Sequence, residues 1–140
     1  MPTLISTKSI SSEIRLHLLE GDQAAALRDA VEIAGRIRAL GSIPDGGLPT
    51  WATEPPPSTG SARWDTILAT GMAYAIEQIG GEPEPWMEAV PPLGALSTLT
   101  GYEPDEAYSG DVYIERLRAE TPARFLSKKI LARDRDWTIA

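Results

Sequence analysis

Residues 61–86, SARWDTILATGMAYAIEQIGGEPEPW, constrain the fold more than any other stretch of the chain. Trp64, Ile67, Leu68, Gly71, Met72, Ala75 and Ile79 recur at three- and four-residue intervals, the spacing that gathers side chains on one face of an α-helix. Ser61 stands where an N-cap belongs, and Asp65 falls in the first turn, where a carboxylate meets the positive end of the helix dipole. Gly80-Gly81 stops the helix, and Pro83 and Pro85 prevent it from resuming at once. An apolar face of this length needs cover, so the remaining segments must supply elements that pack on it.

The N-terminal part supplies two. Residues 1–10 are mixed and expected to fray; Ser11 or Ser12 then caps a short helix with Glu13 in its first turn and Ile14, Leu16, Leu18 and Leu19 apolar, ended by Gly21. Asp22 caps the next helix, DQAAALRDAVEIAGRIRAL, which places Leu27, Ala30, Val31, Ala34, Ile37 and Leu40 along one side. Arg28, Asp29, Glu32, Arg36 and Arg38 are spread around the rest, and Gly41 is the stop. So tight a turn between two helices predicts an antiparallel hairpin, in which Ala24, Ala26, Ala30 and Ala34 permit close approach. No second copy follows, which argues against a helical repeat array. The proline-rich run from Gly41 to Gly60 disfavours both helix and sheet pairing, and Leu48 and Trp51 are expected to dock it on the core.

Beyond the central helix, Pro85 opens a short helix PWMEAV that ends at Pro91-Pro92. Residues 93–110 have no clean period; Leu93, Leu96 and Leu99 fit one helical turn or an irregular apolar segment. Asp111 begins DVYIERLRAE, and Thr121-Pro122 forms an N-cap and first-turn pair for TPARFLSKKILA, with Phe125, Leu126 and Ile130 facing inward. RDRDWTIA is a tail or a short strand. Long β-branched alternation is absent, so the expected fold is all-α: a compact helical bundle in one domain over residues 1–140. Its parts are a helical hairpin at 1–41, a proline-rich loop at 42–60 and a main helical core at 61–140.

Composition narrows the chemistry. The 140 residues include no cysteine, which removes disulfides, thiolate catalysis and cysteine-based metal sites. The single histidine, His17, sits between Leu16 and Leu18, where a half-buried structural role is expected. Glu-x-x-His pairs of the di-metal bundle type are missing, and GEPEP lacks the glycine spacing and Lys-Ser/Thr of a phosphate loop. We therefore expect no catalytic residue, no cofactor and no metal. No run approaches the roughly 18 apolar residues of a membrane span, and MPTLISTKSISSEIR lacks the order of a secretory signal, so the expectation is a cytoplasmic protein that does not enter a membrane.

The formal net charge of −7 is unevenly distributed. Glu77 to Glu120 holds ten acidic residues and two basic ones, whereas Thr121 to Ala140 holds five basic and two acidic. A solvated surface is the plain explanation; an acidic face also suits a basic protein partner. Free nucleic acid is repelled, except where Arg124, Lys128, Lys129, Arg133 and Arg135 form a basic patch. Trp64 and Trp86 are expected to pack at one end of the core, whereas Trp51 and Trp137 lie on no periodic face and are interface candidates.

Pro55-Pro56-Pro57, Arg63-Trp64-Asp65 followed by Leu68-Ala69 and Tyr74-Ala75, the proline-bracketed Trp86 and the run Thr121-Pro122-Ala123-Arg124-Phe125 carry a resemblance. Over residues 50–140 the chain resembles small helical antitoxin-like proteins of high-GC bacterial two-gene cassettes, whose other product looks like a nucleotidyltransferase. The resemblance implies a non-catalytic protein that neutralises a basic toxin encoded nearby. Some such proteins carry a helix-turn-helix; here the first 40 residues are a plain hairpin without a recognition helix. Joined to the charge sorting, this makes Trp51, Glu82, Glu84, Trp86, Glu88, Tyr102, Asp105, Glu106, Tyr108 and Trp137 the candidate partner contacts. A structural or adaptor module, including a homodimer, and a transcription regulator are the alternatives.

Overall fold

The computed structural model describes residues 5–105 and 110–137. The fold is all-α. In chain order, α1 spans Thr7–Leu19, α2 Gln23–Arg38, α3 Thr50–Thr53, α4 Ala62–Gln78, α5 Pro85–Ala89, α6 Val112–Glu120 and α7 Ala123–Leu126, with a 3-10 turn at Asp134–Trp137. Two two-residue strands, β1 (Ser97–Thr98) and β2 (Ile130–Leu131), pair in parallel, Ser97 beside Ile130 and Thr98 beside Leu131.

The α4 helix is the axis of the molecule, packed on α2, α5 and α7. Ser61 caps it by accepting from Trp64 N, and Asp65 lies in its first turn. Its burial is wider than one face: besides Trp64, Ile67, Leu68, Gly71, Met72 and Ala75 of the expected face, whose Ile79 is partly buried, the helix buries Thr66, Ala69, Thr70, Ala73 and Ile76. A helix covered on most sides must satisfy its polar groups internally. Thr66 Oγ1 donates to Pro91 O at 2.8 Å, and Thr70 Oγ1 donates to Thr66 O at 2.7 Å.

The α1–α2 hairpin covers one flank. Asp22 caps α2 as expected, accepting from Ala25 N, and Gly21 takes the left-handed conformation, φ 75°, that the short turn requires. The first helix, however, begins at Thr7 rather than after Ser11 or Ser12. Its cap is a reciprocal serine pair: Ser6 Oγ accepts from Ser9 N at 3.1 Å, and Ser9 Oγ accepts from Ser6 N at 2.9 Å. Serine at the third helical position replaces the usual Glu or Gln. Thr7, Ile10 and Ser11 are consequently buried, and the Ser11 hydroxyl donates back to Lys8 O at 3.0 Å. In the proline-rich segment, Leu48 and Trp51 do pack on the core, and one helical turn, α3, forms directly after Pro49.

The C-terminal part departs most from expectation. Residues 121–132 do not form one helix. Thr121 ends α6 instead of capping α7, its hydroxyl donating to Leu117 O at 2.7 Å and accepting from Ala132 N at 3.2 Å. The α7 helix lasts one turn; Lys129 then adopts φ 62° and the chain enters β2. The cause is tertiary competition, because Leu93 N takes Lys128 O at 2.9 Å and Ser97 N takes Lys129 O at 3.0 Å. Phe125 and Ile130 are buried in the main core, whereas Leu126 is half-buried against a separate small cluster of Leu96, Leu117 and Leu131.

The terminal turn closes the core. Trp137 is 0% exposed, its ring stacked on Phe125 at a centroid distance of 5.0 Å and 14° between planes. Gly71 supplies the space: a Cβ built there would lie 2.4 Å from Trp137 Cζ3. The Arg38 guanidinium donates to the Trp137 carbonyl. Next to this stack, the Tyr74 hydroxyl donates to Asp134 Oδ1 at 2.6 Å, an oxygen that also accepts from Gln78 at 2.9 Å. Burial, and then the Asp134 carboxylate, push the Tyr74 phenol up to about 12 from its ordinary 10.0. Because the folded value is the higher, this contribution to stability is complete below pH 10.0 and is lost as the pH rises through about 12. We expect the urea midpoint of the wild type to fall more steeply over that interval than that of Tyr74→Phe; parallel profiles would reject the assignment.

Candidate protein-interaction surface

The structure distributes the predicted contact residues among three settings. Trp51 and Trp86 are half-buried where α3 meets α5, and Trp86 Nε1 donates to Thr53 O at 2.8 Å. That bond fixes the proline-rich segment on the core, so both rings have structural employment. Trp64, 2% exposed, is core. Trp137, expected as an interface candidate, is enclosed between Phe125 and Gly71 and presents no ring surface to a partner. Its position near the end of the chain hid this, since the Gly71 notch lies 66 residues away in sequence.

The acidic stretch meets the basic segment inside the molecule. Arg124 donates from Nε to Glu77 Oε1 at 2.8 Å and from an Nη to Glu77 Oε2 at 3.0 Å, a bidentate pair, and reaches Glu88 Oε1 at 3.3 Å. Hydrogen bonding to Glu77 outweighs the cost of burial and raises the Arg124 pKa further. Lys128 Nζ donates to Glu88 O at 2.8 Å and Val90 O at 2.6 Å. Part of the charge sorting along the chain is therefore spent on docking α7 against α4 and α5. Glu82, Glu103 and Asp105 remain exposed, and Glu84 is half-buried as the residue preceding α5. Glu106 and Tyr108 lie outside the described residues.

Tyr102 belongs to a different face. It is 56% exposed, together with Val112 at 70% and Tyr113 at 61%. Tyr102 and Tyr113 line a depression of about 450 Å³ together with Leu27, Leu99, Leu117 and Leu131 and with the polar Thr98, Thr100, Arg133 and Asp136. Sequence reasoning picked out Tyr102 but missed Val112 and Tyr113. The signal was present: a nine-residue helix with Val112, Tyr113 and Ile114 consecutive cannot turn all three toward one core. The turn that carries Tyr102 is held from below by Arg63, which donates to Ser97 Oγ at 2.8 Å, Thr98 O at 2.8 Å and Leu99 O at 3.1 Å. Burial lowers the Arg63 pKa, and the Glu103 charge acts in the opposite direction.

His17 is half-buried in the α1–α2 hairpin, and its Nδ1 lies 2.7 Å from Asp29 Oδ2. Asp29 was expected on the open side of α2 but is only 7% exposed, because the pairing draws it under α1. Burial raises the Asp29 pKa, His17 opposes that by hydrogen bond and charge, and Glu13 adds to it. Among the described residues, no group of three or more His, Cys, Asp or Glu side chains could hold a metal ion, and no helix is long and apolar enough to cross a membrane. No protein-family model, curated protein or solved structure matches the chain.

Proposed function

We propose that the protein is a non-catalytic protein-binding module. Its specific form, following the resemblance over residues 50–140, is neutralisation of a nucleotidyltransferase-type or other nucleic-acid-handling toxin encoded nearby. The observation that carries the binding role is the exposed pair Tyr102 and Tyr113, which line one depression together with Leu27, Leu99, Leu117 and Leu131. Large aromatic side chains left in water at the edge of a concave surface are the residues that dominate binding energy when a partner covers them. The exposed carboxylates Glu82, Glu103 and Asp105 suit a basic partner, which they attract at long range while apolar anchors slow its release.

Co-expression with the product of the adjacent gene tests this. The two should co-purify, the chain should rescue growth, and Tyr102→Ser with Tyr113→Ser should abolish both while leaving the thermal transition in place. Absence of co-purification and of rescue removes the neutraliser role. Complex formation unaffected by the double substitution removes the aromatic face.

A further inference from the structure

Of the nine residues of α6, only Leu117 is buried. Ile114 is half-buried against the small cluster of Leu96, Leu117 and Leu131, which is separate from the main core, and Val112 and Tyr113 are exposed. No side chain of residues 112–120 forms a hydrogen bond or an ion pair with another element among the described residues. The shorter α7 is held quite differently, by the buried ring of Phe125 and by Arg124 on Glu77 and Glu88. At the junction of the two helices Thr121 is extended, φ −77° and ψ 125°, and Pro122 follows, so α6 is not the rigid continuation of α7. The hydrogen-bonded tie there is the Thr121 hydroxyl, which accepts from Ala132 N at 3.2 Å.

A nine-residue helix is shorter than the roughly 12–15 residues at which an isolated helix becomes even marginally stable in water. Once off the leucine cluster, α6 therefore melts, and undocking and unfolding are one event. The ground it leaves stays in place. Arg63 of α4 holds Ser97, Thr98 and Leu99, and the Leu93 and Ser97 amides hold the Lys128 and Lys129 carbonyls.

Tyr113 and Leu117 are the α6 residues that line the depression shared with Tyr102, Leu99 and Leu131. We propose that α6 is a movable wall: it leaves the leucine cluster as a unit while the main core remains folded, and so opens and closes the depression lined by Tyr102 and Tyr113. A partner that contacts both tyrosines binds the closed form, so the opening equilibrium sets the fraction of molecules competent to bind. That consequence rests on the binding role proposed above; the motion does not.

Hydrogen exchange followed by NMR on the full chain tests the motion with no partner present. Amides 116–120 should be protected about a hundredfold less than amides 72–76 of α4, the difference between a local opening and global unfolding. The Ala132 amide, bonded to Thr121, should exchange with the α6 group. Urea below the unfolding transition should speed exchange steeply at 72–76 and only weakly at 116–120, because opening α6 exposes little surface. Ile76→Val in the main core should speed exchange at 72–76 about fivefold and leave 116–120 unchanged, since it weakens the closed and α6-open forms alike. Equal protection of the two helices, a shared urea dependence, or a matching acceleration of α6 by Ile76→Val overturns the proposal. Such a result leaves the protein-binding role standing, whereas failure of co-purification and rescue removes that role and leaves the motion.

Discussion

Trp137→Ala lowers the free energy of unfolding by about 3–5 kcal/mol, the range for removing a fully buried large aromatic side chain. The indole fills the space between Phe125 and the Gly71 backbone, and Arg38 holds its carbonyl, so the loss also frees the terminal turn that closes the core. Gly71→Ala is the sharper test, because two effects of opposite sign meet at one position. Alanine favours the helix over glycine by about 1 kcal/mol. Its methyl, however, would lie 2.4, 2.8 and 3.0 Å from three carbons of a rigid ring that is itself stacked on Phe125. Overpacking of this kind costs about 1–3 kcal/mol, so the substitution should destabilise the wild type. In the Trp137→Ala background the obstruction is gone, and Gly71→Ala should stabilise by up to about 1 kcal/mol. A double-mutant cycle by urea denaturation reads that reversal of sign directly. If Gly71→Ala has the same sign in both backgrounds, the ring does not occupy the notch.

The same pair illustrates where the sequence is legible and where it is not. Caps at Asp22, Ser61 and Asp111 are recoverable because the side chain and the N–H it serves lie three residues apart, and all three are observed. Gly71 looks like one member of an apolar face; its purpose depends on a tryptophan far along the chain. The breaking of the expected 121–132 helix has a similar origin, since Leu93 and Ser97 claim the Lys128 and Lys129 carbonyls that a continuing helix would use. The charge sorting was visible, but its internal use was not. Whether Arg124 meets Glu77 and Glu88 or a partner's carboxylates depends on how α7 folds back on α4 and α5. On the candidate surface, Tyr102 was singled out among the aromatic and acidic residues of the 77–120 stretch, whereas Val112 and Tyr113 were not, because which side of so short a helix as α6 meets the core is settled only by folding.

Arg63→Met should lower stability by about 2 kcal/mol, because hydrogen bonds made by a charged group contribute about 1.5–3 kcal/mol net. Methionine preserves much of the apolar stem, which confines the change to the guanidinium. Thr98 O retains the Gly101 N–H at 3.0 Å and the Ser97 hydroxyl at 2.9 Å, so the loss falls mainly on Leu99 O and on the tie between α4 and β1. The consequence extends to the surface. Tyr102 is placed by a turn closed through Thr98 N to Tyr102 O at 2.9 Å and Tyr102 N to Thr98 Oγ1 at 3.1 Å, and Arg63 anchors the base of that turn. Hydrogen exchange at Thr98, Gly101 and Tyr102 should therefore accelerate in Arg63→Met by more than the global loss of stability accounts for. Binding of a partner that covers Tyr102 should weaken, even though the Arg63 side chain is committed to backbone and Ser97 acceptors rather than to the partner. Arg63→Lys keeps the charge but not the planar fork that reaches three oxygens, so it should fall between methionine and wild type. Exchange that rises uniformly across the molecule, with no excess at this turn, would show that Arg63 serves the core as a whole and does not preorganise the aromatic face.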